Sequence, residues 1–150
     1  MNVSKSSKTA LMTMIIAFWC ASCDPFERTG PNSDGSKTRE VEAIWSTFPR
    51  YDGMQEVNET RNATARRVLV SKHFRSTASL DQVKDFYIKT LSDAGWQLVE
   101  DRKMSDWGRD LGGHYFAFRK AGYELSIQYA GEANDDWDYG IGVSWNYLEQ

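Results

Sequence analysis

The chain has 150 residues, 41% of them hydrophobic and 13% aromatic, which is enough apolar material for one folded domain with extensions. Its 11 glycines and 3 prolines do not match a disordered or fibrous composition. The formal net charge is −3, and without residues 1–22 the chain keeps 16 basic and 21 acidic side chains. This balance argues against nucleic acid as a partner, since phosphate binding needs an electropositive face. A local basic run at residues 61–67 is interpreted as a solvated strand edge or turn.

The N-terminus has the three zones of an export signal. Lys5 and Lys8 form a positive start, residues 10–22 are uncharged and mostly apolar, and small residues precede Cys23. Thirteen helical residues would extend only about 20 Å, against roughly 30 Å of bilayer hydrocarbon. Residues 1–22 are therefore interpreted as a signal peptide rather than a permanent membrane span.

Ala21-Ser22-Cys23 resembles the lipobox at the end of a bacterial lipoprotein signal, although Cys20 stands where that class usually has leucine. The resemblance implies cleavage before Cys23, a diacylglycerol on its sulfur and a fatty acid such as palmitate on its new amino group. Asp24 is similar to the signal that retains lipoproteins in the inner membrane of enteric-type bacteria. A lipid-anchored protein of the bacterial cell envelope, facing the periplasm or the exterior, is the implied location.

Two other interpretations of the Cys20–Cys23 pair stay open. One is an ordinary signal peptide, cleaved or uncleaved. The other is a redox pair or half of a zinc site, which would need a folded setting and, for zinc, further ligands. The chain has no other cysteine, so lipidation at Cys23 is the favoured interpretation. The polar, Pro/Gly/Ser-rich residues 24–40 then form a flexible tether, and residues 41–150 form the domain.

The first part of this domain predicts two strands. Residues 41–48 are an apolar segment of undetermined type, and the Asp-Gly sequence within residues 49–53 indicates a turn. A first strand is predicted at residues 54–61 and a second at residues 67–76. In the second, Val68, Val70 and Phe74 share one face and His73 lies on the other.

One amphipathic helix is predicted at residues 79–96, with signals at both of its ends. Ser79 is a good N-cap, and Gln82 is placed to complete a capping box. Gly95 suits the left-handed conformation that ends a helix, and Trp96 supplies the apolar side chain that packs back on the last turn. Six apolar residues follow three- and four-residue spacings between these ends, at Leu80, Val83, Phe86, Tyr87, Leu91 and Ala94.

Four further strands are predicted after the helix, at residues 96–102, 114–120, 123–129 and 139–147. A glycine-rich turn at residues 104–113 and an acidic loop at residues 131–138 are among the connections. Short connections favour an antiparallel meander. The fold class is therefore α+β, a two-layer sandwich with one main helix on a mostly antiparallel sheet, in the order β-β-α-β-β-β-β.

The segments FPRYDGM, from Phe48 to Met54, and TASLDQVKDFYIKTLSDAGWQL, from Thr77 to Leu98, resemble small bacterial lipoprotein and periplasmic domains with an "FY…L…GW" helix end. The resemblance implies a fold. It carries no catalytic residue over, because the shared positions are structural residues of a helix and its cap.

The sequence predicts no catalytic, metal or cofactor site. His73 and His114 are the only histidines and both lie in predicted strands. The loop oxygens of Asn134, Asp136 and Asp138 suit calcium, but the glycine and glutamate of an EF-hand loop are missing. Nucleophile-elbow, P-loop, dinucleotide and zinc-protease motifs are absent from the sequence.

Aromatic residues carry the remaining functional hypothesis. Trp107, Trp137 and Tyr139 lie in or beside the two long loops, where they either cap the core or form a partner-binding surface. The chain is thus predicted to be a non-catalytic, membrane-tethered binding or accessory module with an envelope protein as a possible partner. The alternative is a small enzyme or ligand-binding protein whose site the sequence does not reveal.

Overall fold

A computed structural model describes residues 30–106, 109–131 and 136–149 of the chain. These residues form two α-helices, six strands and a short C-terminal 3-10 helix. In chain order the elements are α1 (Ser36–Ser46), β1 (Gln55–Ala63), β2 (Arg67–Arg75), α2 (Leu80–Asp93), β3 (Gln97–Asp106), β4 (Arg109–Lys120), β5 (Tyr123–Tyr129), β6 (Tyr139–Asn146) and the 3-10 turn Tyr147–Glu149. Neither helix in these residues is long and apolar enough to cross a membrane.

All six strands form one sheet in the order β1-β2-β6-β5-β4-β3, and every neighbouring pair is antiparallel. β3 to β6 follow one another as the predicted meander. β6 then pairs with β2, the second strand from one edge of the sheet. The segment between β2 and β3, which contains α2, therefore carries the chain to the opposite edge. The predicted α+β class with a mostly antiparallel sheet is confirmed.

Both helices contribute to a core on the same face of the sheet. Their buried side chains meet those of β2, β4, β5 and β6, which alternate with residues of the open face as period 2 requires. The largest fully buried side chains are Trp145, Tyr87, Tyr139, Phe116, Phe118, Leu91 and Leu125. The apolar face predicted for every strand is therefore confirmed for these four. It is wrong for β1, which is exposed along its whole length, and for β3, where Leu98 and Val99 are 40% and 48% exposed.

Helix α2 begins and ends as its sequence predicts. Ser79 and Gln82 form a complete capping box, in which the Ser79 side chain accepts from the Gln82 N–H and the Gln82 side chain accepts from the Ser79 N–H. At the other end Gly95 has φ 82°. The Gly95 N–H donates to Ser92 O and the Trp96 N–H to Leu91 O, both at 2.9 Å, which is the Schellman arrangement. The helix end is thus fixed by local hydrogen bonds.

Helix α1 corrects two predictions, the single main helix and the tether that extends to residue 40. Ser36–Ser46 is helical, and Val41 and Trp45 are buried against the sheet. Upstream, the Asn32 side chain is 6% exposed and donates to Thr64 O at 2.9 Å. Gly35 at the N-cap has no side chain to cap α1, although the side chains of Asp34 and Asn32 accept from the N–H groups of Ser36 and Thr38. The apolar stripe of α1 is short, so the helix also depends on packing against the sheet.

The predicted turn at residues 104–113 is also corrected. β3 and β4 continue through most of it, with Ser105 paired to Asp110 and Asp106 to Arg109. The pairing shifts register between Lys103 and Ser105, so a β-bulge or irregularity in β3 lies where the sequence suggested the start of a turn. Gly112 has φ 70°, a conformation that glycine adopts without strain.

Candidate ligand-binding cavity

An apolar cavity of about 330 Å³ opens between the C-terminal ends of both helices and the β4–β5 hairpin. Most of its lining is aliphatic or aromatic. The lining residues are Ile44, Thr47, Phe48, Pro49, Leu91, Ala94, Trp96, Lys120, Ala121, Tyr123 and Leu125. The cavity therefore lies where three chain segments end together, and each wall has its own local cause.

The first wall is the segment that follows α1. Phe48 stacks between Trp45 and Tyr87, with ring centroids at 5.7 and 5.3 Å. The Thr47 hydroxyl donates back to the carbonyls of the last helical turn, and Pro49 then prevents helical continuation. The aromatic stack holds this segment against α2 and leaves a gap beyond the helix end.

The second wall is the end of α2. The Schellman arrangement turns the chain so that Trp96 packs back onto the helix and is 9% exposed. Leu91, three residues before the C-cap Ala94, is fully buried beneath the cavity. The helix cap that the sequence specifies therefore also supplies a wall of the cavity.

The third wall is the β4–β5 hairpin. Its connection is two residues long, Ala121 and Gly122, with φ 49° and 81°. Positive φ at both positions is the type I′ geometry that suits a twisted hairpin. Just before this turn, Lys120 extends across to α2, and its ammonium donates to Ala94 O at 2.5 Å. The cation thus lies at the rim of the cavity and at the negative end of the helix dipole.

The interior of the cavity is apolar, because the hydroxyl and ammonium groups of its lining bond to other groups of the protein. The Tyr123 ring forms part of the wall, but its hydroxyl donates to Glu40 and accepts from Lys37 Nζ at 3.0 Å. Burial and the Glu40 carboxylate raise the pKa of Tyr123. The phenol is therefore a neutral structural group, and the arrangement presents apolar contact surface with one ammonium group at its edge.

The two histidines lie on opposite faces of the sheet, as their strand positions predict. His73, on the open face, stacks on Trp137 with ring centroids 4.3 Å apart, and its Nδ1 lies 2.8 Å from Asn58 Oδ1. Burial lowers the pKa of His73. On the core side, His114 Nε2 lies 2.5 Å from Asp101 Oδ1. Within residues 30–106, 109–131 and 136–149, no group of three or more His, Cys, Asp or Glu side chains converges on a metal position.

The predicted aromatic partner surface does not form as a unit. Tyr139 is fully buried on the core face, and its hydroxyl donates to Ala78 O at 2.9 Å. Trp137 is half-buried on the opposite face beside Gly140. Tyr139 is therefore corrected from a surface residue to a core residue, because the alternation of β6 places it with Ile141 and Val143. Trp107 and the lipidation candidate Cys23 lie outside the described residues.

The proposed loop ligand Asp138 has a structural role. Its carboxylate accepts from the Ser76 N–H at 2.8 Å, and its own N–H donates to Phe74 O. These bonds fasten the end of the acidic loop to the end of β2. Asn134 lies outside the described residues, and Asp136 is exposed.

The sequence contains the signals for the α2 and hairpin walls but gives no indication of the cavity itself. Residues 44–48 belong to the segment whose structure type the sequence leaves undetermined, and Pro49 begins the predicted turn. The cavity depends on the distance between two helix ends that are far apart in the chain, so no local pattern reports it. The "GW" helix end is the one usable signal, since it predicts a buried Trp96 at that position.

A family model described as START domain-like matches residues 54–135, more than half of the chain. The matched region runs from the start of β1 through β5 and includes α2, the β4–β5 hairpin and two walls of the cavity. No curated protein and no solved structure shows significant similarity to the chain. The chain belongs to a START domain-like family.

Proposed function

We propose that this protein is a non-catalytic binding module, anchored in the bacterial envelope, whose cavity holds an apolar small molecule. The observation that carries the proposal is the cavity of about 330 Å³ with an apolar lining. Its size lies at the lower end of the range typical of small-molecule sites, roughly 300–1,000 Å³. Membership of a START domain-like family is compatible with ligand binding.

The ligand we expect is an apolar body with one anionic or hydrogen-bond-accepting end. Apolar surface that leaves water for this cavity contributes about 25 cal/mol per Å². The Lys120 ammonium has three N–H donors and uses one for Ala94 O. Its remaining donors are available to an acceptor at the rim, which would fix the orientation of the ligand.

We propose that Cys23 is the anchor. The supporting observations are the charged start and apolar core of residues 1–22, and the small residues before Cys23. Labelling with radioactive palmitate should be lost in Cys23→Ser and kept in Cys20→Ser. Palmitate retained in Cys23→Ser would contradict this part of the proposal.

An envelope protein partner is part of the same proposal. The contact residue we propose is Trp137, which is half-buried on the open face of the sheet. Cross-linking in native membranes, with Trp137→Ala as the test variant, is the measurement. Equal capture of a partner by the wild-type protein and by Trp137→Ala would exclude Trp137 as the contact.

The cavity can be tested with an anionic, environment-sensitive probe such as anilinonaphthalene sulfonate. Ile44 lines the cavity and is half-buried, so Ile44→Trp places a large ring in the binding space. We expect this variant to lose most of the probe fluorescence that the wild-type protein gives. The control is Val57→Trp, which adds the same ring at a 47% exposed position on β1.

Near-ultraviolet circular dichroism should show that both variants keep fixed tertiary packing, because partly folded states also bind this probe. Equal probe binding by Ile44→Trp and the wild-type protein would overturn the cavity as the site.

A further inference from the structure

We propose that the end of the domain formed by Arg66, Arg67, Lys120, Tyr147 and Leu148 docks on the surface of an anionic lipid bilayer. This inference rests on the proposed Cys23 anchor and deepens it, because it assigns the orientation of the anchored domain. Two features support it: the short length of chain between Cys23 and the fold, and the chemistry of the end of the domain where that chain enters.

The fold begins close to Cys23 in the sequence. Gly30 is packed so tightly on the β1–β2 turn that a Cβ added to it would lie 2.5 Å from Ala65 O and 2.9 Å from Arg66 Cγ. Two residues later, the Asn32 N–H donates to Ala65 O at 2.9 Å. Seven residue steps separate Cys23 from Gly30, so a lipidated Cys23 lies at most about 25 Å from this turn.

The C-terminal segment reaches the same place. The Tyr147 N–H donates to Arg66 O at 3.0 Å, and Arg67 pairs with Asn146 across the β2–β6 ladder. The N-terminal entry and residues 147–148 therefore flank the same turn. A lipid anchor at Cys23 would hold this end of the sheet nearest the membrane.

The apolar side chains at this end suit the interface. Leu148 is 76% exposed and Tyr147 is 48% exposed, and Leu148 is the most exposed large apolar side chain in the described residues. Tyrosine favours the boundary between water and lipid headgroups, because its ring is apolar and its hydroxyl polar. Insertion of Leu148 into the acyl region would remove an apolar surface from water.

The basic side chains indicate an anionic surface. Arg66 and Arg67 lie on the β1–β2 turn, and Tyr123 pairs with Trp145, which brings the β4–β5 turn and Lys120 to the same end of the sheet. The acidic side chain of the nearby entry segment, Asp34, accepts from the Ser36 N–H at the start of α1. Cations close to a bilayer surface are attracted by anionic lipids within a Debye length.

The test uses the full chain, produced in bacteria, purified from membranes and reconstituted into vesicles containing phosphatidylglycerol. A lipidated and cleaved protein has no free thiol, so an introduced cysteine can carry a nitrobenzoxadiazole label alone. Tyr147→Cys and Leu148→Cys are the test positions. Val57→Cys is the matched control, since Val57 is 47% exposed and lies toward the opposite end of β1, about 20 Å from Ala63.

We expect the constant for quenching by aqueous iodide to be several-fold smaller for the labels at residues 147 and 148 than for the label at residue 57. Introducing Arg67→Gln into the labelled variants should reduce the protection of residues 147 and 148 from iodide. Replacing the phosphatidylglycerol-containing vesicles with phosphatidylcholine vesicles should reduce that protection further. Protein that floats with vesicles but shows equal quenching at all three positions would overturn the docking surface and leave the anchor intact. Protein without the acyl mass and without flotation would overturn the anchor, and the docking surface with it.

Discussion

The backbone N–H of Trp96 donates to the carbonyl of Leu91 at 2.9 Å, and this bond joins two residues that line the same cavity. It closes the last turn of α2 and directs the chain into β3. Trp96 consequently lies over the helix end rather than in the solvent. A local helix-ending signal in the sequence is therefore also a determinant of the candidate site.

The left-handed conformation of Gly95 gives the first prediction. Gly95→Ala should lower the free energy of unfolding by roughly 1–2 kcal/mol, because alanine at φ 82° is strained. The nearest atoms to an added Cβ are 3.7 and 3.8 Å away, on the Lys120 side chain, so the cost lies in the backbone and not in a clash. Urea unfolding measures it. Ser92→Ala, in the same exposed turn, is the control and should leave the midpoint nearly unchanged.

The capping box gives the second prediction. Ser79→Ala should destabilise the domain by about 1 kcal/mol, since it leaves the Gln82 N–H without its acceptor. Gln82→Ala removes the reciprocal bond to the Ser79 N–H. Because the two bonds form one unit, the double variant should lose less than the sum of the single losses. Strictly additive losses in urea unfolding would show that the two bonds are independent.

The sequence predicts those elements whose signals are local and misses those that depend on contacts between distant segments. α2 and the strands could be predicted from the sequence because their signals are local: the caps at Ser79 and Gly95, and the alternation of residues in β5 and β6. Tyr139 illustrates a conflict between two signals, its place beside a loop and its parity with Ile141. The parity decides, because one buried face fixes the position of every second residue.

α1 and the cavity could not be predicted from the sequence, because both depend on contacts between segments that are far apart in the chain. Ser36–Ser46 has a glycine at the N-cap position and only a short apolar stripe, and the side chains that accept from its first N–H groups, Asn32 and Asp34, lie before the N-cap. The helix is therefore stabilised largely by the sheet beneath Val41 and Trp45. The cavity needs the end of α1 near the end of α2, a distance that no window of sequence contains. The stack of His73 on Trp137 is likewise a contact between segments far apart in the chain.

Asp101 gives a prediction about pH. The His114 ring, together with the Lys84 ammonium 2.6 Å away, lowers the pKa of this carboxyl. A lowered pKa in the folded state means that the stabilisation is complete above the unfolded value, about 3.9, and is lost as the pH falls through the folded value. Asp101→Asn should therefore flatten the decline of stability in acid while lowering stability at neutral pH.

Urea unfolding between neutral pH and about pH 2 measures this effect, because the loss begins near the ordinary aspartate pKa and continues below it. Asp85→Asn is the control, because Asp85 is an exposed aspartate of α2 beside Lys84. An unchanged acid slope in Asp101→Asn would mean that the cluster joining α2, β3 and β4 contributes nothing to folding.

Lys120 gives the prediction that separates the two parts of the proposed ligand. Lys120→Met keeps the long apolar stem at the cavity rim but removes the ammonium that donates to Ala94 O. We expect it to weaken binding of the anionic probe anilinonaphthalene sulfonate by about tenfold, the value of one charge-assisted hydrogen bond. Binding of the neutral probe phenylnaphthylamine should change little. Lys89→Met, on an exposed position of α2, should leave both affinities unchanged. If Lys120→Met weakened both probes equally, the lysine would act by shaping the cavity, and the ligand would need no anionic end.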